Sequence, residues 1–233
     1  MGGVAAASVL VGADLLQANP LTATPAFAWP TGCIDRLPTS TTKRMAWTLD
    51  DGFSYSALRA YVKLLESHDH LRMTMFALPR STAWKSLAKP ITALIETERL
   101  QIGNHTYNHR DLTSATDTKI RQELQAASHW IQDTFGVDPG AYYRPPFGYI
   151  NSRVIRVAKE HGFTKPILWY GSTGSGSGVS SASVWRMCQT WMTDHRIVID
   201  HANSFSTVAN FDHILALLKT RGLHTVTLQE VFG

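Results

Sequence analysis

Met45-Ala46-Trp47-Thr48-Leu49-Asp50-Asp51-Gly52 is the stretch that decides how the chain is organised. Five mostly apolar residues make a short buried strand, and the Asp-Asp-Gly run ends it, because Asp and Gly favour turns. A helix is expected directly afterwards, from about Ser54 to Glu66, so the segment opens a strand–helix–strand unit. The alternation then repeats. Further strands are expected at Met73–Leu78, Gln101–Gly103, Ala141–Arg144, Pro166–Trp169, Ile197–His201 and Thr225–Thr227. Helices are expected over Ile91–Glu98, Asp117–Phe135, Ser152–His161, Ala182–Thr193 and Phe211–Thr220. Of these Asp117–Phe135 is the clearest. Ile120, Leu124, Ala127, Ile131 and Phe135 recur at spacings of three and four on one face, and Gly136 stands where a helix ends.

Repeated strand–helix alternation predicts parallel strands with right-handed crossovers, and about seven strands suggest a closed or nearly closed (β/α) barrel. In such folds chemistry gathers at the carboxyl ends of the strands. Asp50-Asp51, Asn104-His105, Arg144 and His201 all fall at or just past expected strand ends, so the fold would bring them to one rim.

The 233 residues suffice for one such domain, taken as 29–233. The 22 Lys and Arg against 18 Asp and Glu are scattered singly, with Lys43-Arg44 the one adjacent basic pair, and no stripe suits a nucleic acid. The mild excess fits either an ordinary soluble surface or an anionic polymer as partner. From Gly2 to Leu16 the chain is small and apolar apart from Asp14, and Ala26-Phe27-Ala28 precedes Trp29 in the pattern of a signal-peptidase site. Residues 1–28 are therefore read as the remainder of a secretory leader or as an N-terminal extension packed on the domain, too short to span a bilayer. A secreted or cell-wall-associated monomer is expected. Cys33 and Cys188 would form one disulfide or remain two free thiols. Trp84, Trp185 and Trp191 would either stack on sugar rings or lie half-buried on helices.

His105 and His109 are four apart, so on a helical turn they would share a face and reach one cation. With ten histidines in the chain, that spacing is weak alone. Asp-Asp-Gly and Arg144-Pro145-Pro146-Phe147-Gly148 are, singly, turns. Together they describe a site. Two histidines and one carboxylate leave an open position on Zn²⁺ for a water, whose pKa falls to about 7. A second, adjacent carboxylate could act as base, a nearby Arg could keep it ionised, and a late His could act as acid.

These motifs resemble those of the NodB-type polysaccharide deacetylases, carbohydrate esterase family 4. Thr48-Leu49-Asp50-Asp51-Gly52 is similar to the family's T-F-D-D-G, His105-Thr106-Tyr107-Asn108-His109 to its H-[ST]-x-x-H, Arg144 to Gly148 to its R-x-P-[YF]-G, and Ile199-Asp200-His201 to its L-x-H. The order is the family's, over about residues 45–201. The resemblance implies a distorted (β/α) barrel, the NodB homology domain, that removes acetyl groups from N-acetylglucosamine units of chitin-like chains or peptidoglycan. It implies Asp50 as catalytic base, Arg144 orienting it, His201 as acid, and Asp51, His105 and His109 as ligands of Zn²⁺ or of Co²⁺ or Ni²⁺. Phe147 would give a backbone N–H to the oxyanion, and Ile199 and Trp169 would line the acetyl pocket. An O-deacetylase on acetylxylan shares these motifs, and a carbohydrate-binding pseudoenzyme is the reading from another class.

One motif departs. After Leu168-Trp169 the family carries D-x-x-D-W, whereas here Ser172, Ser175 and Gly176 hold those places. A serine can accept a hydrogen bond from the catalytic imidazole but cannot stabilise imidazolium by charge. Slower turnover, or a more acidic optimum than in motif-complete relatives, is expected. It would show as a descending limb of the pH–rate profile displaced to lower pH.

Overall fold

The computed structural model describes residues 29–233, so the expectations about residues 1–28 lie outside the described residues. Among the described residues are eight strands and eight α-helices, alternating for the most part: β1 (Arg44–Asp51), α1 (Tyr55–Ser67), β2 (Met73–Ala77), α2 (Ala83–Ser86), α3 (Ala88–Glu96), β3 (Leu100–Asn104), α4 (Asp117–Phe135), β4 (Tyr142–Tyr143), α5 (Ser152–Glu160), β5 (Lys165–Pro166), β6 (Gly171–Ser172), α6 (Ser181–Trp191), β7 (Ile197–His201), α7 (Phe211–Arg221), β8 (His224–Thr225) and α8 (Leu228–Phe232). All pairings between these strands are parallel, in the order β5-β4-β3-β2-β1-β7-β6, and β8 pairs with β1. This is the (β/α) barrel that the alternation predicts, in the distorted form that the family resemblance implies. No described helix is long and apolar enough to cross a membrane.

Side chains alternate across each strand, and this parity builds the site. Met45, Trp47 and Leu49 of β1 belong to the large core beneath α1, α3, α6 and α7, whereas Ala46 packs inside the barrel with Phe76, Tyr142, Ile167 and Ile197. Thr48 and Asp50 share the face of Ala46. On β7, Ile197, Ile199 and His201 share the inner parity, while Val198 joins the outer core and Asp200 shares its side. The register pairs Asp50 with His201, Asp51 with Ala77, Ala77 with Asn104 and Asn104 with Tyr143. The candidate residues therefore reach one rim at nearly one level.

α4 follows its apolar stripe: Ile120, Leu124, Ala127, Ile131 and Phe135 are buried, Thr116 caps its start by accepting from Lys119 N–H, and Gly136 ends it with φ 73°. The barrel is not closed by strands alone. Ile34 forms a parallel bridge with Ile167 and Arg36 an antiparallel one with Arg196, so the segment before β1 laces the seam.

Several boundaries differ from the sequence expectation. Pro166–Trp169 contracts to Lys165–Pro166, because Ile167 and Leu168 turn their backbone toward that seam: Leu168 N–H donates to Ile34 C=O. Within the Gly- and Ser-rich residues 171–181, Gly171–Ser172 forms a short strand that pairs with β7. A Cβ at Gly171 would lie 2.8 Å from Trp191 Cβ, so a glycine is what lets the strand approach α6. The short helices α2 and α8 escape a search for long periodic stretches. Both cysteines are free, not bridged, and burial followed by the Asp35 charge pushes the Cys33 thiol up to about 11.

Gly103 on β3 lets Phe76 lie flat against the sheet: a Cβ there would meet the Phe76 ring at 2.6 Å. Gly103→Ala should lower stability by about 1–3 kcal/mol, the usual cost of overpacking. A fall in the thermal midpoint followed by circular dichroism would check it.

Candidate active site

Arg144 follows β4 and is completely buried inside the barrel. Its Nη1 donates to Asp50 Oδ1 at 2.7 Å and to Thr48 Oγ1 at 2.9 Å, and Nε and Nη2 donate to the carbonyls of Ile167 and Leu168. The guanidinium carbon stands 4.3 Å from the Phe76 ring centre and 5.7 Å from that of Trp169. Burial pulls its pKa below the ordinary value, and the Asp50 charge and hydrogen bond counter that only in part. Asp50 is thereby fixed by a charged, well-formed bond and faces His105, whose Nε2 lies 3.8 Å from Asp50 Oδ2.

Beside it, Asp51, His105 and His109 form a group whose ligand atoms all lie within 4.8 Å of one another. His105 Nε2 and His109 Nε2 stand 3.3 and 3.2 Å from Asp51 Oδ1. A carbonyl can only accept, so the 2.8 Å contact between His105 Nδ1 and Arg144 C=O puts that ring's proton on Nδ1 and leaves Nε2 free as a ligand. Asp51 Oδ1 is buried without a hydrogen bond of acceptable geometry, although Oδ2 accepts from Asn203 Nδ2 at 2.7 Å. An orphaned carboxylate oxygen facing two imidazole nitrogens is what a divalent cation site requires, so the residues present fit one. Burial would raise the Asp51 carboxyl, but the His105 and His109 rings, with a further contribution from His201, hold it well below the usual carboxylate range.

The two histidines do not sit on a helical turn, as their spacing suggested. Residues 105–109 form a loop in which Thr106 has φ 64° and His109 φ 57°. Of the six described non-glycine residues with positive φ, four belong to the motifs of this site: Asp51, Thr106, His109 and Phe147. Such conformations cost on the order of 1–2 kcal/mol each and persist only where surroundings impose them.

Here they do. Trp84, fully buried and not a sugar platform, donates to Asp51 C=O at 2.8 Å, and Ser81 Oγ donates to Gly52 C=O at 2.6 Å. Asn203 Oδ1 accepts from Phe53 N–H at 3.0 Å. Glu123, on α4 and almost wholly buried, accepts from Tyr107 N–H, Asn108 N–H and Asn108 Nδ2, pinning the loop between the histidines. Asn203 and Glu123 are not singled out by the sequence, and Trp84 is singled out there only as an aromatic, not as a partner of Asp51. The one available signal was the acid within the apolar stripe of α4.

Phe147, at φ 62°, is half exposed and packs its ring 4.6 Å from that of His109. Trp169 sits over Gly148 and against Trp29, and Ile199 is buried in β7. His201 lies at the end of β7 with Nδ1 3.4 Å from Ser175 Oγ. Of the two serines in acidic places, Ser175 reaches the histidine, while Ser172 Oγ accepts from Gly174 N–H within the turn.

Comparisons with known proteins give the chain's family. The polysaccharide deacetylase family profile matches residues 38–166, and the chain belongs to that family. It is 30% identical over 195 residues to a peptidoglycan-N-acetylglucosamine deacetylase, PgdA, of Listeria monocytogenes, covering 83% of this chain and 40% of that protein, so it spans well under half of that relative's length. A peptidoglycan-N-acetylglucosamine deacetylase of Bacillus cereus is 27% identical over 208 residues, 87% of this chain and 94% of that protein. Among solved structures, BA3943, a CE4 family pseudoenzyme from Bacillus anthracis, superposes with a TM-score of 0.74 at 20% identity, over 86% of this chain and 68% of that one, which shows a shared fold.

Burial opposes ionisation of Glu123, but its bonds from the Asn108 side chain and backbone, and then Lys119, outweigh it and hold the carboxyl below its ordinary value. The stability it contributes is therefore present above the unfolded-state value and lost as pH falls through the folded-state one. Glu123→Gln should cost about 1–3 kcal/mol at neutral pH. Urea unfolding at a series of pH values should show the gap to the parent protein narrowing in acid.

Proposed function

We propose that the chain is a metal-dependent hydrolase that removes acetyl groups from N-acetylglucosamine units of a polysaccharide, chitin-like or peptidoglycan. The observation that carries this reading is Asp50, pinned by a fully buried Arg144 and adjacent to the Asp51–His105–His109 group. A Zn²⁺, Co²⁺ or Ni²⁺ ion held by those three residues would supply Lewis acidity, acidifying a water and polarising the acetyl carbonyl.

The chain's own residues do the rest. Asp50 Oδ2, the oxygen not engaged by Arg144, takes the proton of the attacking water, and Arg144 keeps that carboxylate oriented. The backbone N–H of Phe147 donates to the developing oxyanion, and Ile199 and Trp169 line the acetyl group. His201 gives a proton to the departing amine, whose lone pair would otherwise re-form the amide. Phe53, Tyr107 and Phe147 are each exposed, Phe53 and Phe147 lie against the His109 ring, and Tyr107 is between the two histidines in sequence. Apolar rings around a polar centre suit the faces of sugar rings. The relatives named as peptidoglycan deacetylases support the substrate class and a site of action at the cell wall.

Ser175 in place of an acid beside His201 favours, as a second reading, a protein that binds metal and glycan without turning over. Acetate release from chitooligomers and from peptidoglycan, with Zn²⁺ or Co²⁺ added, separates the two. The deacetylase reading expects release that chelation abolishes and Zn²⁺ restores. Asp50→Asn should cut kcat at least about 100-fold while leaving metal affinity within a few-fold. His109→Ala should weaken metal binding at least about tenfold. Stoichiometric metal with no acetate from any glycan would overturn it.

A further inference from the structure

The inner side of β7 carries His201 and the outer side carries Asp200, so the two side chains point apart. Asp200 is nevertheless the most heavily bonded carboxylate near the site. Its Oδ2 accepts from Trp47 Nε1 at 3.0 Å and Tyr61 Oη at 2.6 Å. Its Oδ1 accepts from Thr173 Oγ1 at 2.7 Å, Thr207 Oγ1 at 2.9 Å and His201 N–H at 2.9 Å. Five donors converge on a group with no exposed surface. Burial, and then the Asp200 charge, hold the Tyr61 phenol protonated, which keeps it a donor to this carboxylate.

We propose that Thr173 and Ser175 link the carboxylate of Asp200 to the imidazole of His201 through a chain of three hydrogen bonds, and so act as positioning residues for the catalytic acid. The inference rests on the deacetylase reading for the role of His201, though not for the hydrogen-bond chain itself. The links are Asp200 Oδ1 to Thr173 Oγ1 at 2.7 Å, Thr173 Oγ1 to Ser175 Oγ at 3.0 Å, and Ser175 Oγ to His201 Nδ1 at 3.4 Å.

Counting protons sets the direction of the chain. A carboxylate only accepts, so the single proton of Thr173 goes to Asp200. Thr173 Oγ1 is then an acceptor for Ser175, whose backbone N–H also reaches it at 3.3 Å. With its own proton given to Thr173, Ser175 Oγ is left to accept, and it does so from His201 N–H at 3.0 Å and from His201 Nδ1–H. The ring is thus held as the Nδ1–H tautomer, and its Nε2 is the nitrogen left to carry and release a proton. The last link is long, as hydrogen bonds of a catalytic group often are before substrate is bound. Thr173 and Ser175 are buried, and Thr173 N–H donates to Ile199 C=O at 3.0 Å, so the chain is anchored to β7 at both ends.

Ser175 thus occupies the place of an acid without leaving the histidine cut off from one. The carboxylate lies two hydroxyls away, on the far side of the strand.

Thr173→Val tests this with little change of shape. Without the Thr173 oxygen, the Ser175 proton turns to His201 Nδ1, and the ring should switch to the Nε2–H tautomer. Long-range proton–nitrogen correlation spectra of the metal-free full chain, recorded in alkaline solution with His201 assigned by its loss in His201→Gln, read that switch directly. On chitooligomers with Zn²⁺, kcat should fall about 10- to 100-fold with KM within twofold. Thr173→Val combined with Ser175→Asp, which sets a carboxylate against the ring, should restore both the Nδ1–H tautomer and most of kcat. Near-ultraviolet circular dichroism and an unchanged Zn²⁺ affinity would certify folding. An unchanged tautomer in Thr173→Val would overturn the proposal, as would a fall in kcat that Ser175→Asp does not repair. If the parent protein releases no acetate, the function reading fails, while the spectra still decide the hydrogen-bond chain.

Discussion

A guanidinium without solvent contact inside a barrel can exist only if every face of it is answered, and Arg144 meets that condition. It binds Asp50 and Thr48 of β1, the carbonyls of Ile167 and Leu168 beyond β5, and the flat face of Phe76 on β2. Its own backbone donates to Asn104 at the end of β3, and its carbonyl fixes the His105 ring. One residue thus joins four strands and both halves of the site. Removing one partner of such a buried pair generally costs several kcal/mol, because the other charge is left uncompensated. The site and the barrel interior are therefore the same structure, and neither can relax independently.

How much of this was legible follows from the kind of information each part needs. The strand of Met45–Leu49, the stripe of α4 and the turn after Asp50-Asp51 depend on local pattern, and the structure carries all three. The gathering of Asp50, Asp51, His105, Arg144 and His201 at one rim required only that strands be parallel and that these residues end them. The conformations of Asp51 and of the His105–His109 loop were not legible, because left-handed residues that are not glycine are imposed by surroundings. Those surroundings are Glu123 from α4, Trp84 from α2 and Asn203 after β7, residue types that are ordinary wherever they occur. Their significance is a matter of contacts made across tens to more than a hundred positions.

The departure at Ser172 and Ser175 shows the limit of position-by-position comparison most clearly. In sequence the two serines look equivalent, each standing where the family has an acid. In space they diverge: one closes a turn and the other touches the histidine. Asp200 is next to His201 in sequence, yet strand parity puts it on the opposite face of β7. The strand is only one residue thick, however, and the loop after β6 wraps its edge, so hydroxyls from that loop can touch both sides at once.

The lacing of the seam bears on how the molecule assembles. Ile34 and Arg36 precede every described strand, yet their partners, Ile167 and Arg196, follow most of them. Contacts so distant along the chain form late, since loop closure must be met before they contribute. A chain emerging from the ribosome would hold its first strap residues without a partner until nearly the whole domain had been made, and the open margins at β5 and β6 would stand exposed in that interval. Assembly order, rather than final stability, is where this architecture is most open to failure.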